Sequence, residues 1–165
     1  MDAGTGAEDP DREYSRPPTL QDLKQIATYL NEEGCRYAVL GGMAVIQHGF
    51  TRATMDIDIM VDPAVDNMVK VIKALGRLPD HAALELTPEE IQDYTVIRVN
   101  DEVTVDLLAS ACGLTLAEAT KRGWVVTVDL GGVPIPYLTP EGIIATKNTY
   151  RPKDRIDVEF LQGLL

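Results

Sequence analysis

The sequence predicts an α/β (or α+β) domain with a mixed central sheet flanked by helices. Apolar residues recur at helical spacing in some segments and at strand spacing in others, and the two kinds alternate along the chain. Two strand-like pairs are also adjacent in sequence, turning at Asn100-Asp101 and at Gly131-Gly132, which a purely parallel sheet would not contain. At 165 residues, 45% hydrophobic and 25% charged, the chain is long enough for one core. Residues 19–165 therefore read as a single domain. Residues 1–18, polar, acidic and rich in Gly and Pro, read as a disordered or loosely attached tail.

The first helix is expected from Thr19, with Asp22 three residues on as a weakened capping box, and Leu20, Leu23, Ile26, Ala27 and Leu30 as one apolar face ended by Gly34. RYAVLGG reads as a short strand halted by Gly41-Gly42, and MAVIQHG as one or two helical turns closed by Gly49. TMDIDIMVD is a second strand, after which Pro63 opens a helix to about Leu75. Residues 76–86 carry no clear pattern, and PEEIQDY suggests a short helix. TVIRVNDEVTVDLLAS gives two strands with a tight turn, and TLAEATKRG a helix. WVVTVDLGGVPIPYL then forms a hairpin, and the C-terminal segment two helices broken before Pro152.

The net charge of −11 disfavours non-specific binding to nucleic-acid backbones while leaving room for a small anion held by local cations or a metal. No apolar run approaches the roughly 20 residues of a membrane span, and the N-terminus lacks a signal-peptide pattern. Cys35 and Cys112 have no metal-binding spacing and read as reduced thiols of a cytoplasmic protein.

Within the second strand, Asp56 and Asp58 are two residues apart and so share a face, with Met55, Ile57 and Ile59 assigned to the core side. Adjacent carboxylates repel, and burial adds a desolvation penalty. A divalent cation offsets both, and hard oxygen ligands suit Mg²⁺ or Mn²⁺. Asp106 interrupts the apolar run VTVDLL in the same way and completes a three-carboxylate cluster if its strand lies beside the first. Such a set can hold two ions roughly 4 Å apart, as in displacement at phosphorus. Gly41 and Gly42, between a strand and a helix start, allow a triphosphate to approach backbone N–H groups.

Leu40-Gly41-Gly42, then Asp56-Ile57-Asp58-Ile59, then Val105-Asp106-Leu107 resemble the signature of the nucleotidyltransferase superfamily related to DNA polymerase beta. The run from Arg52 to Asp58 (R-x-T-x-D-I-D), with Lys147 and RPKDRID, resembles its small bacterial branch of abortive-infection and toxin–antitoxin proteins. The resemblance implies a nucleotidyltransferase-like fold. Asp56, Asp58 and Asp106 would be catalytic metal ligands, with Asp106 also helping to deprotonate the incoming hydroxyl. Gly41, Gly42, Arg52 and Lys147 would bind the nucleotide. The implied activity transfers a nucleoside monophosphate from an NTP to a hydroxyl acceptor: an RNA 3′ end, a protein side chain or a small molecule. An antitoxin or toxin partner would accompany it. The alternative is a catalytically silent nucleotide- or partner-binding module, antitoxin-like, which could drop an acid without penalty; all three are present here.

Of the other polar and aromatic groups, Arg151 and Lys153 extend the basic segment around Lys147, and Asp154 reads as the residue that holds Arg151. His48 reads as a helix-end residue, Trp124, Tyr37 and Tyr137 as packing, and Tyr150 as a candidate to stack on a base.

Overall fold

The computed structural model describes residues 15–147 and 151–165. In chain order the elements are α1 (Leu20–Glu32), β1 (Tyr37–Leu40), α2 (Gly41–Gln47), β2 (Ile57–Val61), α3 (Val65–Leu75), β3 (Ile97–Asn100) and β4 (Thr104–Leu108). There follow β5 (Ser110–Ala111), β6 (Leu114–Thr115), α4 (Leu116–Lys121), β7 (Val125–Leu130), β8 (Val133–Leu138), α5 (Pro140–Thr146) and α6 (Pro152–Gln162).

Six strands form one sheet in the order β3-β4-β2-β1-β8-β7. β2 runs antiparallel to β1 and parallel to β4, β1 runs parallel to β8, and β3-β4 and β7-β8 are antiparallel pairs. The expected mixed sheet is therefore present, with α1 packed on α3 and β8, and α2 and α6 both packed on α5. β1 is buried along its whole length, and Ile57, Ile59, Val105 and Leu107 from β2 and β4 are fully enclosed. This is the continuous apolar run of central strands covered on both faces.

Local chemistry sets several element ends. Thr19 Oγ1 accepts from the Asp22 N–H at 3.3 Å, and Asp22 Oδ2 accepts from the Thr19 N–H at 2.7 Å, so the capping box forms with Asp in the Glu position. Gly131 and Gly132 have φ of +56° and +92°, the left-handed pair that matches a two-residue hairpin to the strand twist. Thr139 caps α5 through the Gly142 N–H, with Pro140 in its first turn.

Several boundaries differ from the sequence reading. Met55 is not on the core side: it is 63% exposed, because the chain bends at residues 55–56 and the strand alternation starts only at Ile57. Leu20 is exposed at the first turn of α1, beyond the buried stripe of Leu23, Ile26, Ala27 and Leu30. Pro63 precedes α3 and does not begin it; Asp62 Oδ1 accepts from the Ala64 N–H at 2.9 Å and shapes that approach. The β3-β4 connection has three residues between the paired Asn100 and Thr104, where a two-residue turn was expected. The PEEIQDY segment makes only a single tight 3-10 turn at Glu90–Gln92, and another lies at Ala82–Glu85.

Of the 1–18 stretch, residues 1–14 lie outside the described residues. Ser15 donates to the Asp101 carbonyl at 2.6 Å, and Arg16 pairs with Asp22 and Glu102, so the chain is tied to the β3-β4 turn from Ser15 onward. Both cysteines are free, Cys35 half-buried and Cys112 exposed. No helix among the described residues is long and apolar enough to cross a membrane.

Candidate active site

Backbone pairing assembles the site. β2 lies between β1 and β4, and Asp58 stands opposite Leu40 on one side and Asp106 on the other. Leu40 is the last residue of β1, so the Gly41 turn sits beside Asp58. Gly41 has φ +68° and is the first residue of α2. A Cβ there would fall on the Asp58 carboxylate. Both the backbone conformation and the close approach therefore require glycine. Gly42 packs behind it, where a Cβ would meet Thr54 Oγ1 at 2.6 Å.

Asp56, on the bend just before β2, joins Asp58 and Asp106. One carboxylate oxygen from each lies within 4.8 Å of the others, with Asp56 and Asp58 half-buried and Asp106 buried. β2 is an interior strand, so Asp58 does not stand on a solvated sheet edge. This donor set, all oxygen and anionic, could hold a metal ion, and its hardness suits a divalent cation of the Mg²⁺ class.

Without such a cation the like charges are managed in two ways. Burial, reinforced by Asp56 and Asp106 and opposed by Lys147, pushes the Asp58 carboxyl up to about 7. Asp106 instead receives a guanidinium. Arg98 on β3 is its register partner, and Nε and Nη2 each bond one carboxylate oxygen at 2.8 Å. The same Nη2 reaches Asp56 Oδ2 at 3.4 Å. These bonds, the Asp106 pair first, raise the Arg98 pKa, so the side chain is fully charged. Sequence reading missed Arg98: an arginine in the alternating strand IRVN looks like an ordinary solvated residue. The signal available was register, since a three-residue turn from Asn100 to Thr104 sets Arg98 opposite Asp106.

A cleft of about 500 Å³ opens over this cluster, lined among others by Gly41, the three aspartates, Arg98 and Lys147. Lys147, just past the end of α5, is only 9% exposed, and its Nζ lies 3.2 Å from Asp154 Oδ1 and 3.1 Å from Asp157 Oδ2 on α6. Arg52 also pairs with Asp157, at 2.9 Å. It is therefore turned toward α6 and is not among the cleft-lining side chains. Arg151 Nε bonds Asp154 at 3.0 Å, in line with the holding role read for Asp154, and Arg151 and Lys153 both line the cleft. His48 ends α2 with Nε2 at 2.9 Å from the Leu138 carbonyl. Tyr37 and Tyr137 are buried in the core, and Trp124 packs under Arg122. Tyr150 lies outside the described residues.

No protein-family model matches the chain, and no curated protein matches it. Among solved structures it is similar to one described as a "putative nucleotidyltransferase" from Thermotoga maritima. The two are 16% identical, 88% of this chain and 91% of that chain are covered, and the TM-score is 0.49.

The arrangement has a clear chemical capacity. A rigid parallel ladder aims carboxylates at one point, a glycine turn leaves space beside them, and the enclosed Lys147 stands on the far wall. Such a cleft can hold a polyanionic ligand through a bound cation and orient it without rearranging the core.

Proposed function

We propose that this chain is a metal-dependent nucleotidyltransferase that moves a nucleoside monophosphate from an NTP to a hydroxyl acceptor. The observation that carries the reading is the direct pairing of Asp58 with Asp106 across β2 and β4, with Asp56 within reach of both. Strand register makes these three acids converge beside the Gly41 turn, and convergence of buried like charges is unfavourable unless a cation is part of the working site.

Asp56, Asp58 and Asp106 would hold Mg²⁺ or Mn²⁺, two ions in this reading, which would supply charge neutralisation for the phosphates and a lowered pKa for the acceptor hydroxyl. Gly41 and Gly42 provide the close backbone approach for the triphosphate, and Lys147 supplies positive potential from the opposite wall. Asp106 takes part in removing the acceptor proton. The acceptor oxygen forms a bond to the α-phosphorus, the bond to the bridging oxygen breaks, and pyrophosphate leaves with that electron pair. The chain's own contribution is position and charge. The RPKDRID segment with Lys147 supports placement in the toxin–antitoxin branch, with a protein partner.

The test is incubation of the protein with Mg²⁺ or Mn²⁺, each α-labelled NTP and RNA, protein or small-molecule acceptors, beside Asp58→Asn. Label transfer with pyrophosphate release, lost in the variant, supports the assignment. Absence of transfer, or transfer indifferent to Asp58, refutes it.

A further inference from the structure

We propose that Arg98 is a placeholder cation, which holds Asp106 in the metal-free protein and must be displaced before a divalent ion can engage all three acids. The inference rests on the metal-dependent reading above and extends it to the order in which the site is filled.

Geometry supports displacement over a permanent pair. One guanidinium engages both oxygens of Asp106, each at 2.8 Å, and so takes one lone-pair direction on each, for which a metal has to compete. The same group leans to Asp56 at 3.4 Å, so it spans two of the three acids that would hold the metal. Arg98 is also free to leave. Its side chain is 57% exposed, and among the described residues β3 is the edge strand of the sheet. The contrast with Lys147 is instructive: that side chain is 8% exposed and pinned between two aspartates that are 1% exposed. Lys147 is built into the cleft wall, whereas Arg98 rests on the surface of the acid cluster.

The experiment titrates MnCl₂ alone, without nucleotide, into the full chain and follows binding by calorimetry. An exposed two-point pair of this kind is worth about fivefold in competition, so Arg98→Ala should bind Mn²⁺ about fivefold more tightly than wild type. Arg98→Lys retains the charge and loses the fork, and should also bind more tightly, by about two- to threefold. Lys153→Ala removes an equal charge from the same cleft and should change affinity by less than about twofold. Equal or weaker binding by Arg98→Ala overturns the proposal. So does an Arg98→Lys variant indistinguishable from wild type combined with a Lys153→Ala gain equal to that of Arg98→Ala, because charge alone would then explain the effect.

A second readout needs no variant affinity. The Arg98 Nε–H resonance in ¹⁵N NMR should leave its Asp106-bonded position on saturation with Mg²⁺; an unchanged resonance overturns the proposal. Asp58→Asn separates the two levels of inference. If Mn²⁺ binds neither wild type nor Arg98→Ala, or binds Asp58→Asn undiminished, the metal-dependent reading has failed and the placeholder with it. If binding requires Asp58 and ignores Arg98, the placeholder alone is overturned.

Discussion

Replacing Lys147 by methionine removes the ammonium from between two enclosed carboxylates while keeping most of the apolar stem. Asp154 and Asp157 are each 1% exposed, and Asp157 Oδ1 is buried without a hydrogen-bond partner among the described residues. Taking one partner from a buried ion pair costs about 3–5 kcal/mol, because the remaining charge stays desolvated. Here the loss should fall at or just below that range, at about 2–3 kcal/mol, since Asp157 keeps Arg52 at 2.9 Å and Asp154 keeps Arg151 at 3.0 Å. Urea unfolding followed by the fluorescence of Trp124, the one tryptophan, measures it. With a slope of about 2 kcal/mol/M, the midpoint should fall by about 1–1.5 M. Adding Asp154→Asn should recover part of the loss, with a coupling of at least about 1 kcal/mol in the double-mutant cycle. A midpoint shift below about 0.3 M, or no coupling, would refute the reasoning and mean that water already screens this cluster.

Three further outcomes follow from the same structure. The Asp58 carboxyl is pushed up to about 7 from an ordinary 3.8, so the metal-free protein loses stability as pH rises from about 4 to 7. Asp58→Asn should remove that slope and raise the metal-free melting temperature at pH 8, by an amount worth more than about 1 kcal/mol; thermal melts across pH decide it. Arg16 and the α1 cap hold Asp22 down at about 2, so its contribution is complete above pH 4 and is lost as pH falls through 2. Asp22→Ala should cost about 1 kcal/mol at pH 7 and nothing below pH 2, measured by urea unfolding. Gly41→Ala meets both an unfavourable φ and the Asp58 carboxylate, and should destabilise by about 2–3 kcal/mol and weaken Mn²⁺ binding. Gly132→Ala, at φ +92° with open space around it, should cost about 1 kcal/mol and leave Mn²⁺ binding intact.

The acids were legible because each breaks an otherwise apolar run of the sequence, and a charge in such a run needs a reason. Their convergence followed once β2 and β4 were taken as neighbours, which register then bears out at Asp58 and Asp106. Arg98 was not legible, since charge in a half-exposed strand is ordinary and only turn length reveals what it faces. Around Lys147 the pairing was legible but the burial was not. Asp154 and Asp157, seven and ten residues on across a helix break, read as local partners at a solvated helix end, and no periodic signal shows that the three groups are enclosed. Met55 was misplaced by extending a two-residue alternation past the bend that ends it. The β5-β6 pair, two residues per strand around Cys112-Gly113, is too short for any periodic signal.

The ladder between β2 and β4 also works as a ruler. Asp58 and Asp106 are spaced by main-chain pairing, so the distance between them is set by the strand separation common to all sheets and does not depend on neighbouring side-chain identities. A slip of β4 by one residue would send Asp106 to the opposite face, among Ile57 and Ile59, which are fully buried, and would bring Val105 or Leu107 to the cleft. An unpaired carboxylate in that layer would be far more costly than a lost ladder bond. The acids placed for chemistry thus also proofread the sheet: the registers that would abolish the site are those the chain has most reason to avoid while folding.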